Sequence, residues 1–229
     1  MSHPVDPRWP KLLSLAVHEF RTPITVVAGY IRMLLKDRAG AVTDQQRRLL
    51  EEAEKSCGRL SALVAEMSEL SALEGGKAAF NRSGIDVRAV LRDAAAALPE
   101  SADREVGIAL DTAEGPATIQ GDPVRLKGAF TALLAGLRRE LIDTPHLAVR
   151  EAPRQWEGQT VSWIAIGDDA QAAALAAAGP ADLATFDEWR GGCGLSLALA
   201  RRVIGAHGGS LWSPADGAKA AAAVSIPLD

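Results

Sequence analysis

The sequence predicts an α plus α/β protein: an antiparallel helical hairpin that pairs into a dimeric four-helix bundle, followed by an α/β sandwich. Three observations predict it. Two long runs before residue 75 carry apolar residues at spacings of three and four. The glycine pair Gly75-Gly76 marks a change of pattern. From residue 80 to 229, short alternating runs are interleaved with helical ones, the mark of helices packed on a mixed sheet.

The first helix is expected from Lys11 to about Lys36. Leu12, Leu15, Val26, Tyr30 and Met33 form its apolar row, interrupted by Glu19 and Thr22. Beside it lies a polar row, Lys11, Ser14, His18, Arg21, Thr25, Arg32 and Lys36, which places His18 toward water. After the loop "DRAGAV", Thr43 is an N-cap and Gln46 occupies the capping-box position. Leu49, Ala53, Cys57, Leu60, Val64, Met67 and Leu70 or Ser71 then recur at about 3.5 residues, a coiled-coil-like seam closed by Gly75-Gly76. Two helices of this length cannot bury both apolar stripes alone. A second copy would complete a bundle, so a homodimer through residues 10–75 is expected.

Residues 80–229 make the second domain. "GIDVRAVLRDAAAAL" reads as a turn into a helix, "EVGIALD" as a strand, and "GDPVRLKGAFTALLAGLRREL" as a capped helix with proline in its first turn. "LAVREA" and "VSWIAIGD" alternate as strands; "GLSLALARRVIGAHGG" is a helix ending on glycines, and "AAAVSIPLD" a last strand. Trp156, Trp163, Trp189 and Trp212 are expected to fill a core otherwise rich in alanine. His207, at a helix end, is read as a packing or capping residue.

Composition narrows the function. A net charge of -4 and a pI near 5.6 provide no basic field for a phosphodiester backbone, so nucleic acid is not an expected partner. Cys57 and Cys193 are isolated, without metal spacing, which suits a reducing compartment. No apolar run approaches membrane-spanning length and the polar, proline-rich start is not a signal peptide, so a cytoplasmic location is expected. No residue set is assigned as a metal site.

The chemistry concentrates in "LAVHEFRTPITVV". Pro23 deletes a backbone donor inside a helix, a change that costs about 3 kcal/mol, and is expected to bend the helix beside His18. Thr22 is one turn along from His18, and Glu19 is its neighbour. An exposed imidazole is nucleophilic near neutral pH, and an adjacent carboxylate can orient it or accept its proton. Five fixed residues arise by chance in such a chain with a probability on the order of 10⁻⁴.

"HEFRTP" resembles the H-box of the sensor histidine kinases, and "GDPVRL", "FDEW", "GCGLSLALARRVIGAHGGSLW" and "SIPL" resemble landmarks of their ATP-binding domain. The resemblance covers nearly the whole chain. It implies that His18 is the phosphoacceptor, that Glu19 assists as acid or base, and that Thr22 serves when the same surface removes phosphate from a partner aspartate. Arg21 could steady the phosphoryl oxygens. Pro23 would be a hinge.

Departures from the family pattern carry the functional expectation. The helix after "GDPVRL" should bear two asparagines four residues apart, the second holding magnesium; here the positions are Ala132 and Gly136. The adenine-reading D-x-G-x-G keeps Asp168 but has Ala170 and Ala172 for the glycines. The segment from Asp168 to Phe186, where the resemblance implies a nucleotide lid, is short and alanine-rich, and "DGAKAAAA" lacks the expected Gly-Thr pair. Gly192 and Gly194 survive before a helix as a phosphate cradle, so the vestigial nucleotide site is Asp168, Gly192 and Gly194.

The resulting expectation is a dimeric histidine phosphotransferase, or phosphatase, that exchanges a phosphoryl group between His18 and response-regulator receiver domains. It requires no cofactor of its own, with ATP and magnesium entering only if the nucleotide site still functions. Two alternatives stand beside it: an active histidine kinase using Asp168, Gly192, Gly194 and unrecognised ligands such as Arg138 or Arg139, and a non-catalytic dimeric scaffold for receivers.

Overall fold

The computed structural model describes residues 8–98, 106–141, 144–189 and 193–229. The chain divides into two compact units, Met1–Ala78 and Ala79–Asp229.

The first unit is a helical hairpin. Helix α1, Trp9–Leu35, runs through Pro23 without interruption, and helix α2 spans Asp44–Glu74. Thr43 caps α2 with a complete capping box: its hydroxyl accepts the Gln46 amide, and the Gln46 side chain accepts the Thr43 amide. Arg47 secures the connection by donating to the Leu35 carbonyl and to both carboxylate oxygens of Asp37, a residue in the left-handed region (φ 54°). At the far end Gly75 caps α2 and Gly76 turns the chain at φ 63°.

Between the helices lie Leu13, Val17, Ala28 and Ile31 from α1 and Cys57, Val64 and Leu70 from α2. The expected α2 seam is thus buried at Cys57, Val64 and Leu70 but not along its whole length. The apolar row Leu12, Leu15, Val26, Tyr30 and Met33 does not face α2, and Leu49 and Leu60 are exposed too. Periodicity detects an apolar arc but not how many interfaces share it. Here the arc is wide enough for two: one face meets the partner helix, and Phe20 and Val27 join the second, exposed face.

The second unit begins with β1, Ser83–Asp86, and α3, Val87–Ala96, followed by β2, Gly107–Thr112, β3, Thr118–Gly121, and α4, Pro123–Glu140. Then come β4, His146–Trp156, β5, Gln159–Gly167, α5, Asp169–Ala177, β6, Leu183–Thr185, α6, Ser196–Ala206, β7, Ser210–Pro214, and β8, Ala222–Pro227. The main sheet has the order β2-β4-β5-β8-β7-β6; β2 is parallel to β4 and the other pairs are antiparallel. Strands β1 and β3 form a separate antiparallel ribbon. Proline opens α4 behind Asp122, whose carboxylate accepts the amides of Val124 and Arg125.

Strand β5 is buried on both faces from Val161 to Gly167, a run that is apolar except for Ser162. Ser162, Ile164 and Ile166 point one way, toward α3: Glu151, on their face, pairs with Arg88 of α3 and accepts the Ser162 hydroxyl. Val161, Trp163 and Ala165 point the other way and pack with Leu175 and Ala178 at the end of α5. Trp156, Trp163 and Trp212 cluster there with ring centroids 4.7–5.6 Å apart, and the Arg154 guanidinium lies 4.6 Å from the Trp163 ring. Trp189, expected in the core, is 74% exposed instead. Its neighbour Glu188 turns inward, because Arg201 and Arg202 of α6 both donate to one of its carboxylate oxygens.

His207 ties α6 to α4. Its Nδ1 lies 2.8 Å from the Val203 carbonyl, which can only accept, so Nδ1 carries the proton and Nε2 accepts the Asp122 amide at 2.9 Å. Burial, together with the nearby Arg82 and Arg125 charges, outweighs the Val203 bond and holds its pKa below the ordinary 6.5. The folded state therefore binds fewer protons here than the unfolded chain, and this part of its stability is complete above pH 6.5 and lost as pH falls toward the folded value. Burial works upward on Asp122, but the amides of Arg125, Asn81 and Val124 and the Arg125 charge outweigh it and leave its pKa below 3.8. The urea midpoint is thus expected to decline as pH falls through and below 6.5, and His207→Gln is expected to flatten that decline.

Candidate functional site

The sequence-derived residues fall in two places. In the hairpin, the long periodic run of α1 holds the H-box residues on consecutive turns of one helix. His18 has a side chain 81% exposed, and its Nδ1 lies 3.4 Å from Glu19 Oε1, whose side chain is 71% exposed. With the proton on Nδ1 facing the carboxylate, the Nε2 lone pair is directed at solvent. Arg21 and Thr22 are exposed on the same helix. Thr25 donates its hydroxyl to the Arg21 carbonyl at 2.8 Å, two residues past Pro23. The arrangement offers an accessible nucleophilic nitrogen with a carboxylate positioned to hold or receive a proton.

A cavity of about 870 Å³ opens beside His18, between the first turns of α1 and the last turns of α2. Lys11 and Ser14 line it from α1, Ser68 and Glu74 from α2, and Lys77 from the turn beyond. The Ser71 hydroxyl, donated to the Pro10 carbonyl at 2.8 Å, closes its end. Sequence reasoning missed the cavity, although the small residues Ser68, Ser71 and Ala72 opposite the polar row of α1 are the signal that could have found it.

The second place is the α4–α6 region of the α/β unit. Asp168 is committed as the N-cap of α5, its Oδ1 accepting the Gln171 amide at 2.8 Å. Gly167 precedes it where a β carbon would lie 2.8 Å from that of Gln171. The segment expected as a lid is instead α5, whose Ala172 and Leu175 are buried, a 3-10 turn at Pro180–Asp182, and β6. On α4, Ala132 is half-buried, and a β carbon at Gly136 would meet Cys193 Sγ and Leu197 Cδ2 at 3.2 Å. Gly194 turns the chain at φ 58° ahead of α6, and the Ser196 hydroxyl is spent on the Cys193 carbonyl. Gly192 lies outside the described residues. Ala220 holds a left-handed conformation, φ 57°, with its amide donated to Glu140 Oε2 at 2.9 Å.

Comparison with known proteins agrees with this layout. Residues 11–76 match the His Kinase A (phospho-acceptor) domain. The signal transduction histidine-protein kinase BarA of Escherichia coli (strain K12) is 26% identical over 204 residues, covering 85% of this chain and 22% of its own length. The phosphate regulon sensor protein PhoR of Pseudomonas aeruginosa is 31% identical over 206 residues, covering 83% of this chain and 43% of its own length. The crystal structure of full-length ShkA in complex with AMPPNP shares the fold, with a TM-score of 0.69 at 21% identity, over 96% of this chain and 46% of that one. A helical phospho-acceptor region followed by a mixed sheet with helices is the architecture of histidine kinases, and these likenesses support a histidine kinase family protein. The chain spans less than half the length of these curated relatives. No helix among the described residues is long and apolar enough to cross a membrane.

Proposed function

We propose that the chain is a two-component or phosphorelay protein that acts as a dimeric histidine phosphotransferase, with ATP-dependent phosphorylation of His18 weak or lost. In this reading residues 10–75 form the dimerising phosphotransfer hairpin and residues 80–229 a degenerate ATP-binding domain. The observation that carries it is the contrast between the exposed His18 and the packing around Gly136. Where the resemblance calls for a magnesium-ligating asparagine, there is a glycine, with Cys193 and Leu197 within 3.2–3.5 Å of its absent β carbon. Asp168 is engaged as a helix cap rather than left open to a base. These residues do not fit a magnesium-bound triphosphate.

Transfer would begin with attack of the His18 Nε2 lone pair on the phosphorus of a receiver's aspartyl phosphate. The new N–P bond forms as the P–O bond breaks, the receiver carboxylate leaves with the electron pair, and the Nδ1 proton passes to Glu19 or to water. The reverse step loads a second receiver. Thr22, one turn from His18, could instead position water at the aspartyl phosphate, and Arg21 could hold the phosphoryl oxygens. Any metal in these steps is the receiver's. The exposed second face of the hairpin, Leu12, Phe20, Val27 and Tyr30 among it, supports pairing of two copies into a four-helix bundle.

The test is to mix the chain with a receiver carrying labelled aspartyl phosphate and, separately, with labelled ATP and magnesium. Acid-labile label on the chain from the receiver alone is the expected result. Label from ATP at a comparable rate would make the active-kinase reading correct. Receiver binding without label from either source would make it a scaffold.

A further inference from the structure

The cavity beside His18 contains groups that the acceptor chemistry described above does not use. We propose that it is a phosphoryl-retention pocket: Lys11 and Lys77 neutralise the phosphoryl group once it is on His18, with Ser14 and Ser68 as hydrogen-bond donors. The inference rests on His18 being a phosphoacceptor and deepens that reading.

The geometry follows from helix direction. A helical side chain leans toward the N-terminus of its helix, over the turn before its own Cα. His18 therefore leans over Ser14, and a phosphoryl group on Nε2 extends further toward Lys11, seven residues or about 10 Å of rise earlier. All three residues line the cavity. Lys77, carried by the chain just past the left-handed Gly76, reaches the same cavity from the other wall. Among the described residues, neither lysine lies within ion-pair distance of a carboxylate. Among the described residues, Glu74 is the one carboxylate lining the cavity, so their side chains bring two ammonium groups against one negative charge. An N-phosphoryl group near neutral pH carries close to two negative charges, more than an uncharged lining could hold without cost.

From α1 the pocket is lined by Lys11, Ser14 and His18 of the polar row together with Leu15 of the exposed apolar row. Its basic lining would also favour the phosphorylated form of His18 over the aspartyl phosphate of a receiver, which biases the hairpin toward storing the group.

The test loads the full chain with phosphoramidate, a small phosphoryl donor. The imidazole attacks phosphorus, an N–P bond to Nε2 forms, the N–P bond to the amino group breaks, and ammonia leaves. Phosphorus NMR then follows the second ionisation of the phosphoryl group, using the signal absent from His18→Ala. Its midpoint is expected to be lower in the unsubstituted chain than in Lys11→Met/Lys77→Met by about half a unit to one unit, since nearby cations favour the dianion. Lys11→Arg/Lys77→Arg is expected to restore it, and Lys36→Met, in the same row at the other end of α1, to leave it unchanged. Coincident midpoints in the unsubstituted chain and the double methionine variant would overturn the pocket while leaving His18 as acceptor. A chain that takes no label at His18 from phosphoramidate or from a receiver would overturn both.

Discussion

His18→Ala is expected to abolish acid-labile labelling from a phosphorylated receiver, by at least about 10⁴-fold, because the nucleophile itself is removed. Stability should stay within about 0.5 kcal/mol, since the side chain is 81% exposed and packs against nothing that needs it. Glu19→Gln keeps the shape but loses the charge beside Nδ1 and is expected to slow transfer by about 10²-fold. The measurement is the initial rate of label transfer, with urea unfolding of each variant as the control. A His18→Ala protein that still accepts label would remove His18 from the chemistry.

The largest expected effect on stability lies in the other unit. Arg88 and Glu151 pair with side chains 4% and 0% exposed, and Arg88 also donates to the carbonyls of Glu114 and Gly115. Removing one partner of such a pair leaves a buried charge uncompensated, which costs about 3–5 kcal/mol. Arg88→Met is expected to lose stability on that scale, seen as a drop of about 10 °C in the midpoint of the α/β unit. Replacing both, as Arg88→Met/Glu151→Leu, is expected to recover more than half of it, because an apolar pair has no charge to desolvate. Equal losses in the single and double variants would show that shape, rather than charge, sets the cost. The pair buries a salt bridge between α3 and β4, so it fixes the α3 layer on the sheet.

The elements were legible in the sequence wherever one physical rule acted alone. The Thr43–Gln46 capping box, the Pro-initiated α4 behind Asp122, and strands β5 and β8 follow from local donors, ring closure and apolar runs. Helix α5 was not legible. Its apolar residues are mostly alanines, whose pattern has almost no directional contrast, and only the structure shows Leu175 and Ala178 turned onto the tryptophan cluster. Strands β1 and β3 pair only with each other across some thirty residues, so no short-range signal announces them. Trp189 was misjudged because burial of a large aromatic was assumed from its type, while the two arginines of α6 drew Glu188 inward instead.

The candidate site was legible in its parts and less so in its arrangement. The spacing of His18, Glu19, Arg21 and Thr22 defined one helix neighbourhood, and the structure places all four on α1 with His18 and Glu19 in contact. The asymmetry between acceptor and nucleotide region was visible as missing side chains at Ala132 and Gly136. What the sequence could not supply was the fate of the vacated space. Gly136 is not merely a lost ligand: it sits against the side chains of Cys193 and Leu197, which would have to shift to admit even a β carbon there. The cavity beside His18 was equally invisible, because it is formed by the two ends of the hairpin, about sixty residues apart in sequence.

Phosphotransfer without ATP requires a nucleotide region unable to hold a magnesium-bound triphosphate. The direct measurement is an equilibrium titration of the full chain with ATP and magnesium, read by calorimetry. No saturable heat up to about 1 mM, the weak end of specific binding, is the result the account predicts. A one-to-one isotherm with a micromolar dissociation constant, abolished by Asp168→Ala, would contradict it.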